Sequence, residues 1–77
     1  MNNKQQIDIV ICSDLDYECL LAEITIDGIF IGLVTNEPGK GLCFELPDDN
    51  VPFTSISFDI FENALNQAKQ ALLNKDD

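Results

Sequence analysis

Histidine, arginine and tryptophan are missing from this 77-residue sequence, and its cations are four lysines. Without His, a Ser or Cys nucleophile lacks its usual activating base, so covalent catalysis by Cys12, Cys19 or Cys43 is not expected. Without Arg, the side chain that reads guanine edges is gone, and four Lys against fourteen acids leave a net charge of −10 and a pI near 4.1. Such a chain is a poor ligand for nucleic acid or for an anionic membrane surface. The three cysteines are odd in number and contain no C-x-x-C pair, which argues against a disulfide framework and against a structural zinc site. A reducing cytoplasm is the expected compartment. No apolar run is long enough to span a bilayer, and Met-Asn-Asn-Lys does not open like a signal peptide.

Two further motifs fall short. Asp14-Leu-Asp-Tyr-Glu18 begins like a calcium loop, but Cys19 stands where the turn needs Gly and Thr25 where a bidentate Glu is needed. Gly39-Lys40-Gly41 lacks the spacing and the hydroxyl residue of a phosphate-binding loop and reads as a turn. Paired carboxylates could work as acid and base, but a chain this short leaves little room for a substrate cleft. The expectation is a protein that is not an enzyme and uses no metal and no cofactor.

What is present is enough for one modest core. The 45% hydrophobic content and five Phe rule against wholesale disorder. One domain over residues 1–77 is expected, with 1–6 and 74–77 frayed. A core of this size supplies about 3–5 kcal/mol, so association can matter to stability.

Periodicity organises the chain. Ile7, Ile9 and Ile11 alternate with polar or smaller residues as a strand. Residues 19–36 read as two strands around Asp27-Gly28, the pair that suits the positive φ angles of a type I′ turn. That turn predicts Ile26 opposite Ile29, Ile24 opposite Ile31 and Ala22 opposite Leu33, all on the core face. After the turn cluster at 37–41, Leu42, Phe44 and Leu46 alternate as a fourth strand, and 47–52 is an acidic connector. Phe61, Ala64, Leu65, Ala68 and Leu72 then form one helical stripe running to about Leu73, with Ser57 as N-cap or, two residues later, Asp59 completing a capping box with Glu62. Asp59 and Glu62 favour its N-terminus, and Lys69 and Lys75 its C-terminus. The predicted fold class is α+β, a two-layer domain in which a four-stranded antiparallel meander carries one C-terminal helix on one face.

One helix can cover only one side of the sheet. The same alternation assigns Asp8, Val10, Cys12, Cys19, Leu21, Glu23, Thr25, Phe30, Val34, Cys43 and Glu45 to the other side. Phe30, opposite Thr25 and diagonal to Glu23, is an aromatic anchor beside carboxylates. Candidate partner-binding residues are therefore Glu23, Phe30 and Glu45 on the sheet, with Asp14, Asp16, Glu18, Asp48 and Asp49 in acidic loops and Glu37 nearby. The partner these residues suit is a basic protein; an alternative is a homodimer in which Leu21, Phe30 and Val34 bury against a second copy.

The residues Glu23-Ile24-x-Ile26-Asp27-Gly28, then Ile31 and Glu37, then Phe44-Glu45-Leu46-Pro47 and an Ala-rich helix resemble immunity proteins of bacterial contact-dependent and polymorphic toxin systems. The resemblance extends over residues 7–73 in general pattern. It implies a cytoplasmic, non-enzymatic protein that binds and neutralises a toxin domain, often a basic nuclease, at its active site or a nearby exosite. A variant of this role is mimicry of DNA, with carboxylate rows standing in for phosphates. Such proteins share a role across unrelated folds, so the resemblance assigns no binding residue by position.

Overall fold

The computed structural model describes residues 5–47 and 55–74. Strands β1 (Ile7–Cys12), β2 (Leu21–Ile26), β3 (Ile29–Glu37) and β4 (Gly41–Glu45) precede one helix, α1 (Phe58–Asn74). The sheet order is β1-β2-β3-β4, each neighbouring pair antiparallel, so the chain is the predicted α+β meander with its C-terminal helix on one face.

The turns follow from residues that tolerate their dihedrals. Asp27 (φ 52°) and Gly28 (φ 80°) both lie in the left-handed region, as a type I′ hairpin turn requires. Gln6 is tied to that turn, donating its amide to Asp27 Oδ1 and accepting from the Asp27 amide, each at 2.8 Å. This extends the ladder one residue into the segment 1–6 expected to fray. At the other end, Lys40 donates to the Glu37 carbonyl at 3.1 Å across Pro38 and Gly39 (φ 80°), the arrangement of a type II turn.

Register departs from the sequence expectation in the middle of the β2–β3 hairpin. Ile26 pairs with Ile29 and Thr25 with Phe30, but Ile24 then pairs with Gly32, Glu23 with Leu33 and Ala22 with Val34. Ile31 is the extra residue of a β-bulge. Because side chains alternate with period two, one inserted residue exchanges the faces of everything beyond it. Leu33, expected in the core, therefore lies on the outer face, and Val34, expected outside, is 5% exposed within the core cluster. Gly32 supplies the room: the Phe44 ring lies against it, closer than any Cβ would permit.

Of the two predicted caps, helix α1 uses the earlier, Ser57. Ser57 Oγ accepts the Ile60 amide at 3.4 Å, and the Ser57 carbonyl accepts the first helical bond from Phe61 at 3.0 Å. Asp59 occupies the first turn, on the positive end of the dipole; Lys75 lies outside the described residues. Ala64, Ala68 and Leu72 are buried against Ala22, Ile24, Ile26, Ile31 and Val34, and the small alanines let the helix sit close to the sheet. Phe61 meets Phe44 edge to face at 5.5 Å between ring centroids. The helix lies mainly over β1 and β2 and touches β3 less, so the inner side of β4 is partly open.

Candidate functional site

The outer sheet face is built from rows that the pairing fixes. Asp8, Thr25 and Phe30 form one; Val10, Glu23, Leu33 and Glu45 the next; Cys12, Leu21, Thr35 and Cys43 the third. None of these positions holds a lysine, so the face carries carboxylates with no cation among them.

Half of this face is closed by the protein itself. The β1–β2 connection, residues 13–20, turns at Asp14, whose Oδ1 accepts the Asp16 amide at 2.9 Å and whose carbonyl accepts the Tyr17 amide at 3.0 Å. From there Tyr17 reaches over the sheet and donates its hydroxyl to Glu45 Oε1 at 2.6 Å. The two oxygens of Glu37 accept the amides of Glu18 and Cys19, each at 2.8 Å. Two carboxylates, one on β4 and one at the end of β3, thus hold the connection down. Leu21 and Thr35 beneath it are 2% and 3% exposed, although they lie on the face opposite the helix.

These bonds set the chemistry of the groups that make them. The amides of Glu18 and then Cys19 favour the charged form of Glu37 and hold its carboxyl below the ordinary range, with Lys40 contributing. The bond to Glu45 favours protonated Tyr17 and pushes its hydroxyl up to about 12. Burial, reinforced by Glu23 and Asp14, raises the Cys12 thiol, so Cys12 is less ionised at neutral pH than a free cysteine and a poorer nucleophile.

The other half of the face is open. Val10 is 51% exposed and Phe30 40%, with Asp8 beside them and Glu23 half-buried between Val10 and Leu33. The predicted pairing of Phe30 with Thr25 is present because it precedes the bulge.

The predicted candidates therefore separate. Glu23 and Phe30 share the open half. Glu45 is already engaged by Tyr17. Asp14, Asp16 and Glu18 lie in the connection, exposed, with Asp14 committed to the local turn. Asp48 and Asp49 lie outside the described residues. Leu21 and Val34, two of the three side chains offered for an outer-face homodimer, are unavailable: Val34 is in the core through the bulge, and Leu21 lies under the connection. Tyr17 is the functional-face residue that sequence reasoning missed, since nothing local links it to a carboxylate 28 positions away.

Among the described residues, no group of three or more His, Cys, Asp or Glu is placed to hold a metal ion, and no helix is long and apolar enough to cross a membrane. No protein-family model, curated protein or solved structure matches the chain.

Proposed function

We propose that this protein is a non-enzymatic binding module of the cytoplasm that engages a basic protein, in the way an immunity protein neutralises a toxin domain. The observation that carries the reading is the open half of the outer face, where Val10 and Phe30 stand exposed on the same side as Asp8 and Glu23, with no lysine among the described strand positions of that face. An exposed aromatic sharing its face with two carboxylates suits a partner that presents an apolar side chain next to Lys or Arg. The net charge of −10 speeds encounter with such a partner, while the anchor sets the dissociation rate.

The test is affinity capture from the source cells with wild-type, Phe30→Ala and Glu23→Lys baits, followed by kinetics on the captured protein. The expected result is a stoichiometric basic protein lost from both variant baits. Its association rate should fall on the order of tenfold between about 0.05 and about 0.5 M salt. A salt-insensitive association rate, or equal capture by all three baits, would refute the reading.

A further inference from the structure

Among the described residues nothing pairs with the free edge of β4, a surface independent of the outer-face reading. Helix α1 is displaced toward β1 and β2, which leaves a groove of about 190 Å³ between β4 and the helix, lined chiefly by Val34, Leu42, Phe44, Leu65 and Lys69. Leu42 is 43% exposed at its mouth. β4 is an edge strand, so alternate backbone amides and carbonyls along it point away from the sheet. The usual guards against edge pairing are missing within it: Gly41-Leu-Cys-Phe-Glu45 contains no Pro, no Lys and no register shift, and its one charge is terminal. The opposite edge differs in both respects. β1 carries Asp8 inside the strand, and α1 lies over its inner side.

We propose that β4 pairs antiparallel with β4 of a second copy, centred on Cys43, to make a continuous eight-stranded sheet with both helices on one side. The strand's own sequence favours this occupant. In that register Leu42 falls opposite Phe44 of the second copy on the inner face, so each copy delivers apolar side chains to the other's groove. Glu45 falls opposite Gly41, with Lys40 next along the chain, so no carboxylate opposes another despite a charge of −10 per copy. Cys43 meets its own counterpart. The interface is small, which places it among associations that depend on protein concentration over the working range. Because both copies are acidic, added salt screens their repulsion and strengthens the pairing, the reverse of its effect on a basic partner.

Two measurements on the full chain test this. Light scattering across a concentration series should move from 8.6 kDa toward twice that mass, further at high salt, and Leu42→Asp should raise the dissociation constant about tenfold or more while keeping the wild-type circular dichroism. A Cys12→Ser/Cys19→Ser variant, oxidised with diamide, should form a Cys43–Cys43 disulfide rapidly, since facing residues of an antiparallel pair lie within disulfide reach. A mass of 8.6 kDa at every concentration overturns the proposal. So does a dimer that survives Leu42→Asp and cross-links no faster than the urea-unfolded chain. A dimer abolished by Phe30→Asp but indifferent to Leu42→Asp would assign self-association to the outer face and overturn it too. None of these readouts involves a basic partner, so they leave the proposed function to its own test.

Discussion

Replacing Gly32 by alanine probes the bulge, the β4 register and the aromatic contact together. A Cβ at this position would lie 2.5 Å from Phe44 Cζ, 2.8 Å from Phe44 Cε1 and 2.7 Å from the Glu45 carbonyl oxygen. Carbon atoms in contact sit about 3.5–4.0 Å apart, so both the ring and the β4 backbone must retreat by about 1 Å. The ring cannot yield freely, because its edge-to-face contact with Phe61 would be lost with it. Overpacking of this kind costs about 1–3 kcal/mol, and the aromatic contact adds about 0.5–1.5 kcal/mol. The φ of 157° at Gly32, a conformation that side-chain-bearing residues rarely adopt, adds to the same side. The two packing terms total about 1.5–4.5 kcal/mol, against a stability of about 3–5 kcal/mol expected at this chain length. Gly32→Ala should therefore bring the protein close to its unfolding midpoint in the absence of denaturant.

The assay is urea unfolding followed by far-ultraviolet circular dichroism, with Gly28→Ala as reference. Gly28 also has positive φ, but a Cβ there meets nothing within 4 Å, so its substitution should cost about 1 kcal/mol from the backbone alone. Trimming the ring should partly relieve the clash, so Phe44→Leu combined with Gly32→Ala should destabilise by less than the sum of the single changes. A Gly32→Ala loss no larger than that of Gly28→Ala, or strict additivity with Phe44→Leu, would refute the packing argument.

Tyr17 is the sole tyrosine of a chain without tryptophan, so its phenolate absorbance titrates alone; the midpoint should lie near 12 in the wild type and fall toward the ordinary value of 10 in Glu45→Ala. Glu37 has its folded pKa depressed, so its contribution is present above the ordinary carboxyl value of 4.5 and is lost as pH falls through the lower folded value. Urea midpoints measured from neutral to acid pH should accordingly drop less steeply in Glu37→Gln than in the wild type, and parallel curves would show that Glu37 does not clasp the connection.

Legibility in the sequence tracked how local each cause is. Asp27-Gly28 dictates its hairpin by dihedral preference alone, and the strict alternation of Ile7, Ile9 and Ile11, then Ala22, Ile24 and Ile26, assigns faces without reference to the rest of the chain. From Ile29 to Val34 that signal vanishes. Ile-Phe-Ile-Gly-Leu-Val is apolar in both parities, so pattern cannot choose between Leu33 and Val34 as the core residue. Gly32 within a strand was the remaining clue, since a strand glycine often marks a bulge or a close approach. The clasp made by Glu37 and Glu45 was beyond local reading, because its partners lie 18 to 28 residues away and depend on where a connection folds back.

The clasp changes what the acidity can mean. A count of carboxylates treats the outer face and its loops as one docking surface, yet Glu37 and Glu45 spend their oxygens on the Glu18 and Cys19 amides and the Tyr17 hydroxyl. A partner that took either would have to lift the connection and expose Leu21 and Thr35. On the open half, Asp8 and Glu23 remain on the same face as the exposed Val10 and Phe30. Specific contact and overall charge therefore separate physically. If the proposed partner docks on the open half, removing Asp16 or Glu18 changes the field a distant cation feels and should act on the association rate, whereas truncating Phe30 removes the aromatic that docking would desolvate and should act on the dissociation rate.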